Sequence, residues 1–176
     1  MRSGRPHRLR RNLIALVVIF ALFLTLTAVL FVFPSRNAPR RSNAIVVLGG
    51  SGPRLQKGLA LAHAGYAPNQ VLSGYSRSTC PTTPHGVEVI CFIPHPGTTQ
   101  GEAREIAKLA GERDWRQIIV VSGIPQTTRA RLRITRCYHG TLLFDPASPG
   151  GLGGWVHNVI YEWGALIKAL TLQRGC

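Results

Sequence analysis

Leu13 to Phe33 are 21 consecutive uncharged residues, interrupted by no polar side chain other than Thr25 and Thr27. At about 1.5 Å rise per residue, a helix of that length crosses a hydrocarbon layer of about 30 Å. Whatever follows must therefore fold while tied to a bilayer. A cleaved signal peptide carries a shorter apolar core, about 7–15 residues, that ends in a small-x-small site. Here Phe31, Val32, Phe33 and Pro34 stand in that place, so an uncleaved anchor is expected. Arg2, Arg5, Arg8, Arg10 and Arg11 precede the span, and Arg36, Arg40 and Arg41 follow it. The richer basic flank places the N-terminus in the cytoplasm. The chain then divides into a basic cytoplasmic tail (1–12), a transmembrane helix (13–33), a linker (34–42) and an extracytoplasmic domain (43–176), held at the plasma membrane by a single pass.

All four cysteines, Cys80, Cys91, Cys137 and Cys176, lie beyond the span. An oxidising compartment pairs such residues, which agrees with the orientation drawn from the arginines. Of the three possible pairings, Cys80 with Cys91 and Cys137 with Cys176 is preferred. The first staples a proline-rich loop and the second ties down the tail. A zinc site built from Cys80, His85, Cys91 and His95 is the rival, but its spacing lacks the short C-x2-C knuckle of common zinc modules. No metal is expected.

The net charge of +14 is concentrated near the span: eight of 21 basic residues fall in the first 41 positions, where there is no acid. The remainder carries 13 basic and seven acidic residues, a net of +6. No nucleic-acid module or aromatic stacking pattern accompanies this charge, and the deduced side of the membrane argues against such a partner, so no nucleic acid is expected. Anionic material close to a bilayer suits it better.

Beyond the linker, strands and helices alternate. Strands are expected at 44–48, 70–73, 86–92, 117–122 and 141–144, and helices at 53–64, 100–113, 127–138 and 155–172. "QIIVVS" is a β-branched run of the kind buried on both faces of a parallel sheet. The fold class is α/β: a Rossmann-like, open, mostly parallel sheet with helices on both faces, preceded by one transmembrane helix.

Ligands of such sheets bind at the carboxyl ends of the strands, where three loops should meet: 49–52, 94–99 and 122–126. Gly49, Gly50, Ser51 and Gly52 form a turn into a helix, a backbone cradle for an anion. The dinucleotide fingerprint fails at Leu55, and no P-loop lysine is present. No acid occurs before Glu88 to grip ribose hydroxyls. Arg54, in the first turn of that helix, opposes the helix dipole unless it faces an anion. Thr99 and Glu102 have the spacing of a capping box, and Glu102 also projects toward the strand ends as a candidate base. Arg129, Arg133 and Arg136 share a helix face. Arg129 sits nearest the cleft, and the other two are expected to face water or lipid head groups. His95 stands between two prolines as a candidate acid or base. Glu88, Asp114 and Asp145 read as turn or surface acids, and Trp155, Tyr161 and Trp163 as packing residues, with contact of this tryptophan-bearing helix with the bilayer interface as the alternative.

Four stretches in order, "AIVVLGG", "GLALAHAGYAPNQVLSG", "GTTQGEAREIAKLA" and "IIVVSGIPQTTRARLRITRC", resemble the DUF218 domain, the YdcF-like family that includes SanA-like and ElyC-like envelope proteins. The likeness runs from about Asn43 to Phe144. It implies a Rossmann-like domain, often tethered to a membrane and tied to cell-envelope and cell-wall biogenesis in bacteria, with some soluble members binding S-adenosylmethionine. By position, the family's glycine turn falls on Gly49 and Gly50, its helix-start glutamate on Glu102, and its Arg-Ala pair on Arg129 and Ala130. Pro125, Gln126 and Thr127 replace a tyrosine-histidine-methionine stretch, and Thr99 and Gln100 replace an asparagine-threonine pair.

The resulting expectation is an envelope-biogenesis protein. Its cleft binds an anionic or phosphate-bearing precursor through Gly49, Gly50, Ser51, Gly52, Arg54, Thr99 and Arg129, with Glu102 as the candidate base. Two other readings stand beside it: a non-catalytic interaction module that uses the span and the basic stripe, with its Arg133 and Arg136 face, to organise envelope partners, and a protein binding S-adenosylmethionine or a nucleotide.

Overall fold

The computed structural model describes residues 5–49, 52–82, 86–149 and 151–176. Its N-terminal helix α1 (Arg5–Thr27) continues as a π-helical turn over Ala28–Val32, and the stretch Arg8–Val32 is long and apolar enough to cross a membrane. The domain that follows is built on five strands, β1 (Ala44–Val47), β2 (Asn69–Ser73), β3 (Glu88–Phe92), β4 (Gln117–Val121) and β5 (Thr141–Phe144). All pair in parallel, in the order β3-β2-β1-β4-β5. Helices α2 (Pro53–His63), α3 (Thr99–Glu112), α4 (Thr127–Thr135) and α5 (Gly151–Thr171) complete it.

The period-two pattern of the strands sorts their side chains onto two buried faces. Ala44, Val46, Ile118 and Val120 pack with Ile106 of α3 and Ile134 of α4. Ile45, Val47, Ile119 and Val121 pack with Leu61 of α2. A sheet covered on both sides needs apolar residues on both, which is why β1 and β4 read as unbroken hydrophobic runs. Among its described residues the crossover from β2 to β3 carries no α-helix, and a short 3₁₀ turn lies at Arg77–Thr79. The Cys80–Cys91 disulfide ties that crossover to β3, and Cys137–Cys176 ties the end of α4 to the tail. With every cysteine in a disulfide, the thiolates that the rival zinc site required are gone. His85, one of its two histidines, lies outside the described residues.

The linker is bound along its length. Asn37 donates its backbone N–H to the Phe144 carbonyl at 2.8 Å, and its Oδ1 accepts from Phe144 N at 3.0 Å, so it extends the edge beside β5. Gln117 Nε2 donates to the Arg41 carbonyl at 2.9 Å. The end of the apolar helix is likewise part of the domain: Phe31 is fully buried, Thr128 Oγ1 donates to the Leu30 carbonyl at 2.5 Å, and Trp163 of α5 donates from Nε1 to Thr27 Oγ1 at 3.2 Å.

Candidate functional site

The strand order reverses direction between β1 and β4, so the connections that leave the carboxyl ends of these two strands run to opposite sides, the place where open sheets of this kind form a crevice. A cleft of about 550 Å³ opens at that point. The β1–α2 turn, the loop before α3, the loop after β4 and the start of α5 line it. The three loops expected from the sequence do meet, with α5 as a fourth wall.

Glu102 is the pivot. Carried in the first turn of α3 and 5 % exposed, its Oε1 accepts from the Gly49 backbone N–H at 2.8 Å and from Ser73 Oγ at 2.7 Å. One carboxylate oxygen thus clamps the ends of β1 and β2 together. The expected capping box does not form: Thr98 is the N-cap residue and no side chain caps the helix. The reason lies in competition for the carboxylate. A buried strand-end N–H and a fully buried serine hydroxyl have no water to turn to, whereas a helix entrance at the cleft rim does. Among the described residues Oε2 of Glu102 has no hydrogen-bond partner and no cation within salt-bridge distance, so any proton-accepting role falls to that oxygen.

A second chain of polar contacts runs around the cleft through four elements and a loop. Arg54 Nη1 donates to Gln126 Oε1 at 3.2 Å, Gln126 Nε2 to Thr99 Oγ1 at 3.3 Å, and Arg129 Nη1 to the same Thr99 oxygen at 2.7 Å. Arg129 then grips Glu162 of α5 in a fork, Nε to Oε2 at 2.6 Å and Nη2 to Oε1 at 2.7 Å. Both members are buried, 8 % and 4 % exposed. Burial works against the Arg129 charge, but the hydrogen bonds and charge of Glu162 outweigh it and hold the guanidinium pKa above its ordinary value. Thr99 Oγ1 accepts twice, which occupies both lone pairs and leaves its O–H as a donor toward the cleft. Tyr161 lies with its ring 5.8 Å from the Arg129 guanidinium carbon and lines the cleft; at 59 % exposed it is a cleft-rim residue and not the packing residue expected.

Electrostatically, Arg129 and Glu162 cancel, and two groups remain: the cation of Arg54 and the carboxylate of Glu102. Among the described residues Arg54 has no acidic partner. It stands beside Gly49, whose φ of +50° favours glycine, with Arg54 Nη1 3.0 Å from where a Cβ would sit. Gly52 at φ +57° opens α2, with Pro53 at the first helical position.

Of the residues expected to form the site, Gly49, Gly52, Arg54, Thr99, Glu102 and Arg129 all line the cleft. Gly50 and Ser51 lie outside the described residues. His95 is exposed and does not line the cleft. Arg133 and Arg136 correct the expected solvated stripe. Arg133 is 4 % exposed and bonds the carbonyl of Gln173 and, at 2.6 Å, its side chain. Arg136 donates to the carbonyls of Ala169 and Gln173, both at 2.9 Å. Arg136 thus satisfies one orphan carbonyl in the last turn of α5, both arginines hold the Gln173 carbonyl just beyond the helix, and the helix dipole at that end favours a cation. Burial, with Arg136 and Arg129 nearby, lowers the Arg133 pKa. The acids placed at the surface are paired: Glu88 with Arg113 at 2.7 Å, Asp145 with Lys57 at 2.5 Å, and Asp114 with Arg116 at 3.4 Å.

Glu162 and Gln126 are the residues sequence reasoning missed as part of the site. Glu162 is the one acid in α5, and a lone carboxylate in an apolar helix is itself the signal that could have found it, because a buried charge requires a partner. Among the described residues no cluster of three or more His, Cys, Asp or Glu side chains could hold a metal ion. Neither protein-family models, nor curated proteins, nor solved structures provide a match to the chain.

Proposed function

We propose that the protein is a single-pass membrane protein of the bacterial cell envelope, of the DUF218 or YdcF-like kind, whose extracytoplasmic domain binds a phosphate-bearing or other anionic envelope precursor in the strand-end cleft. The observation that carries the ligand class is Arg54: a cation without an acidic partner among the described residues, next to a glycine turn and the N-terminus of α2. Free backbone N–H groups and the helix dipole at that end favour negative charge. Glu102 faces the same cleft as the candidate base through Oε2, Thr99 supplies a hydroxyl donor, and Arg129 is a positioning residue held by Glu162.

The compartment follows from two supports. Two disulfides belong in an oxidising environment, and the basic N-terminal flank belongs in the cytoplasm. The anchor stays attached, because cleavage after the apolar run would strip Phe31 from the core and Thr27 from Trp163. The interaction-module reading is weakened at its basic stripe, since Arg133 and Arg136 are engaged within the fold. The S-adenosylmethionine reading lacks an acid at the end of β2, where Ser73 is committed to Glu102.

The test is binding of inorganic pyrophosphate to the full chain in detergent, followed by thermal shift and by calorimetry. Saturable binding that Arg54→Ala abolishes and Arg116→Ala spares is expected. Binding indifferent to Arg54, or stabilisation by S-adenosylmethionine in place of pyrophosphate, would overturn the ligand class. Thiol labelling of intact cells with and without reductant tests the compartment: the cysteines should label from outside, and only after reduction.

A further inference from the structure

α5 shows two faces. Asn158 and Glu162 line the cleft, and Leu166 and Ala169 are buried beneath the helix. The opposite face carries Val156, Ile160, Ile167 and Leu170, which are 63 %, 70 %, 54 % and 48 % exposed. With Trp163 these positions advance in steps of four, three, four and three, which keeps them on one stripe of a helix. Over 21 residues the helix is about 31 Å long at about 1.5 Å per residue. His157 and Lys168, both exposed, flank the stripe where a polar head can reach up into water while its stem covers apolar surface. An apolar stripe of this extent on an otherwise polar domain marks a contact surface.

Continuity with α1 identifies what covers it. Trp163, in the middle of the stripe, stacks on Phe23 with ring centroids 5.5 Å apart and meets Phe31 edge-on at 5.1 Å. The stripe therefore runs directly into the lipid-facing surface of the apolar helix, no part of whose most apolar window is buried by the domain. Depth agrees as well. Trp163 bonds Thr27, four residues before Phe31 and thus about 6 Å along the axis toward the membrane centre at 1.5 Å per residue. An in-plane amphipathic helix sinks its apolar face by about 5–10 Å past the headgroup boundary.

We propose that α5 lies flat in the membrane leaflet on the domain's side, with Val156, Ile160, Trp163, Ile167 and Leu170 among the acyl chains of the lipid bilayer. The cleft, walled by the opposite face of the same helix, is then held about one helix diameter, roughly 10 Å, above the hydrocarbon, at the depth of lipid head groups. The proposal rests on α1 as a membrane span, and not on the identity of the cleft's ligand.

The experiment uses the full chain in liposomes of zwitterionic and anionic phospholipid. Because the native cysteines are paired, single nitroxide labels can be placed through Ile160→Cys, Ile167→Cys, His157→Cys and Leu16→Cys, and their collision rates measured with oxygen, which concentrates in acyl chains, and with a water-soluble nickel chelate. At Ile160 and Ile167 the ratio of oxygen to nickel accessibility should exceed that at His157 severalfold and approach that at Leu16. Nickel access at Ile160 and Ile167 equal to that at His157, with Leu16 still in lipid, would overturn the α5 proposal alone. Leu16 reporting water would overturn the span and with it the proposal. Protection of the stripe from both reagents would mean that a second copy or another protein covers it, and would overturn it as well.

Discussion

Removing Glu162 should destabilise the domain about as much as truncating a large core side chain. The carboxylate meets Arg129 through two hydrogen bonds of 2.6 and 2.7 Å, and side-chain exposures of 10 % and 5 % leave little water to screen the pair. The figure of about 0–1 kcal/mol for a surface ion pair therefore does not apply. Glu162→Ala strands a buried guanidinium, and breaking a buried pair in this way costs about 3–5 kcal/mol. Glu162→Gln keeps one acceptor and should lose less, about 1.5–3 kcal/mol, the worth of a hydrogen bond to a charged group. The double variant Arg129→Met with Glu162→Leu removes both charges and fills the space, so it should return close to the parent's stability. The assay is urea denaturation of the full chain in a mild non-ionic detergent, followed by tryptophan fluorescence, to which Trp163 of α5 contributes. A loss below about 1 kcal/mol for Glu162→Ala, on the surface-pair scale, would refute the reasoning. A double variant as unstable as the single one would do the same, since the cost would then lie in packing and not in an unpaired charge.

Three other outcomes follow from the same coordinates. Opening Cys137–Cys176, which closes a separation of 39 residues, should cost about 4 kcal/mol, and opening Cys80–Cys91, with a separation of 11, about 3 kcal/mol on loop-entropy grounds; paired serine variants compared by denaturation check both. Gln70 is fully buried, and neither side-chain amide atom has a hydrogen-bond partner among the described residues, so Gln70→Leu should raise stability by about 1–3 kcal/mol, read as a higher urea midpoint. The hydrogen bond from Arg113 lowers the pKa of Glu88 below its ordinary 4.5. The contribution of this pair is thus complete above that value and lost as pH falls through the lower, folded-state value; an acid titration of stability in Glu88→Gln should lack that small component.

What the sequence made legible follows from how local each determinant is. β1 and β4 declare themselves because Ala44 to Val47 and Gln117 to Val121 bury both faces, and α2 because Pro53 opens it and Gly65, at φ +73°, stands just beyond its end. The convergence of Gly49, Arg54, Thr99, Glu102 and Arg129 is a property of parallel strand ends, and therefore readable once the alternation of strands and helices is. Partners were harder to read. Arg129, Arg133 and Arg136 share a helix face by spacing, but spacing does not say what faces them: α5 supplies Glu162 to Arg129, and its C-terminal end, with Gln173 just beyond, holds Arg133 and Arg136, the two expected to face water or lipid head groups. The Thr99–Glu102 spacing misled for a related reason: a capping box is scored from four consecutive residues, while the donors that won, Gly49 N and Ser73 Oγ, lie 53 and 29 positions away.

These long-range contacts bear on how the cleft works. Glu102 fixes the β1 and β2 ends from α3, while Arg129 fixes α3 and α5 from α4, so Glu102, Thr99 and Arg129 are positioned by bonds within the fold before any ligand arrives. A preorganised site of this kind gains affinity by reducing the ordering that binding would otherwise cost. The same arrangement links cleft and anchor: α5 holds Glu162 on one face and Trp163, one residue later, on the other, bonded to Thr27 of the apolar helix. Moving α5 relative to the span must therefore move Glu162, and through it Arg129 and Thr99. Trp163→Ala, which touches nothing in the cleft, should weaken pyrophosphate binding if the span helps to position the site. Unchanged affinity would show that the cleft is set by the α/β domain alone.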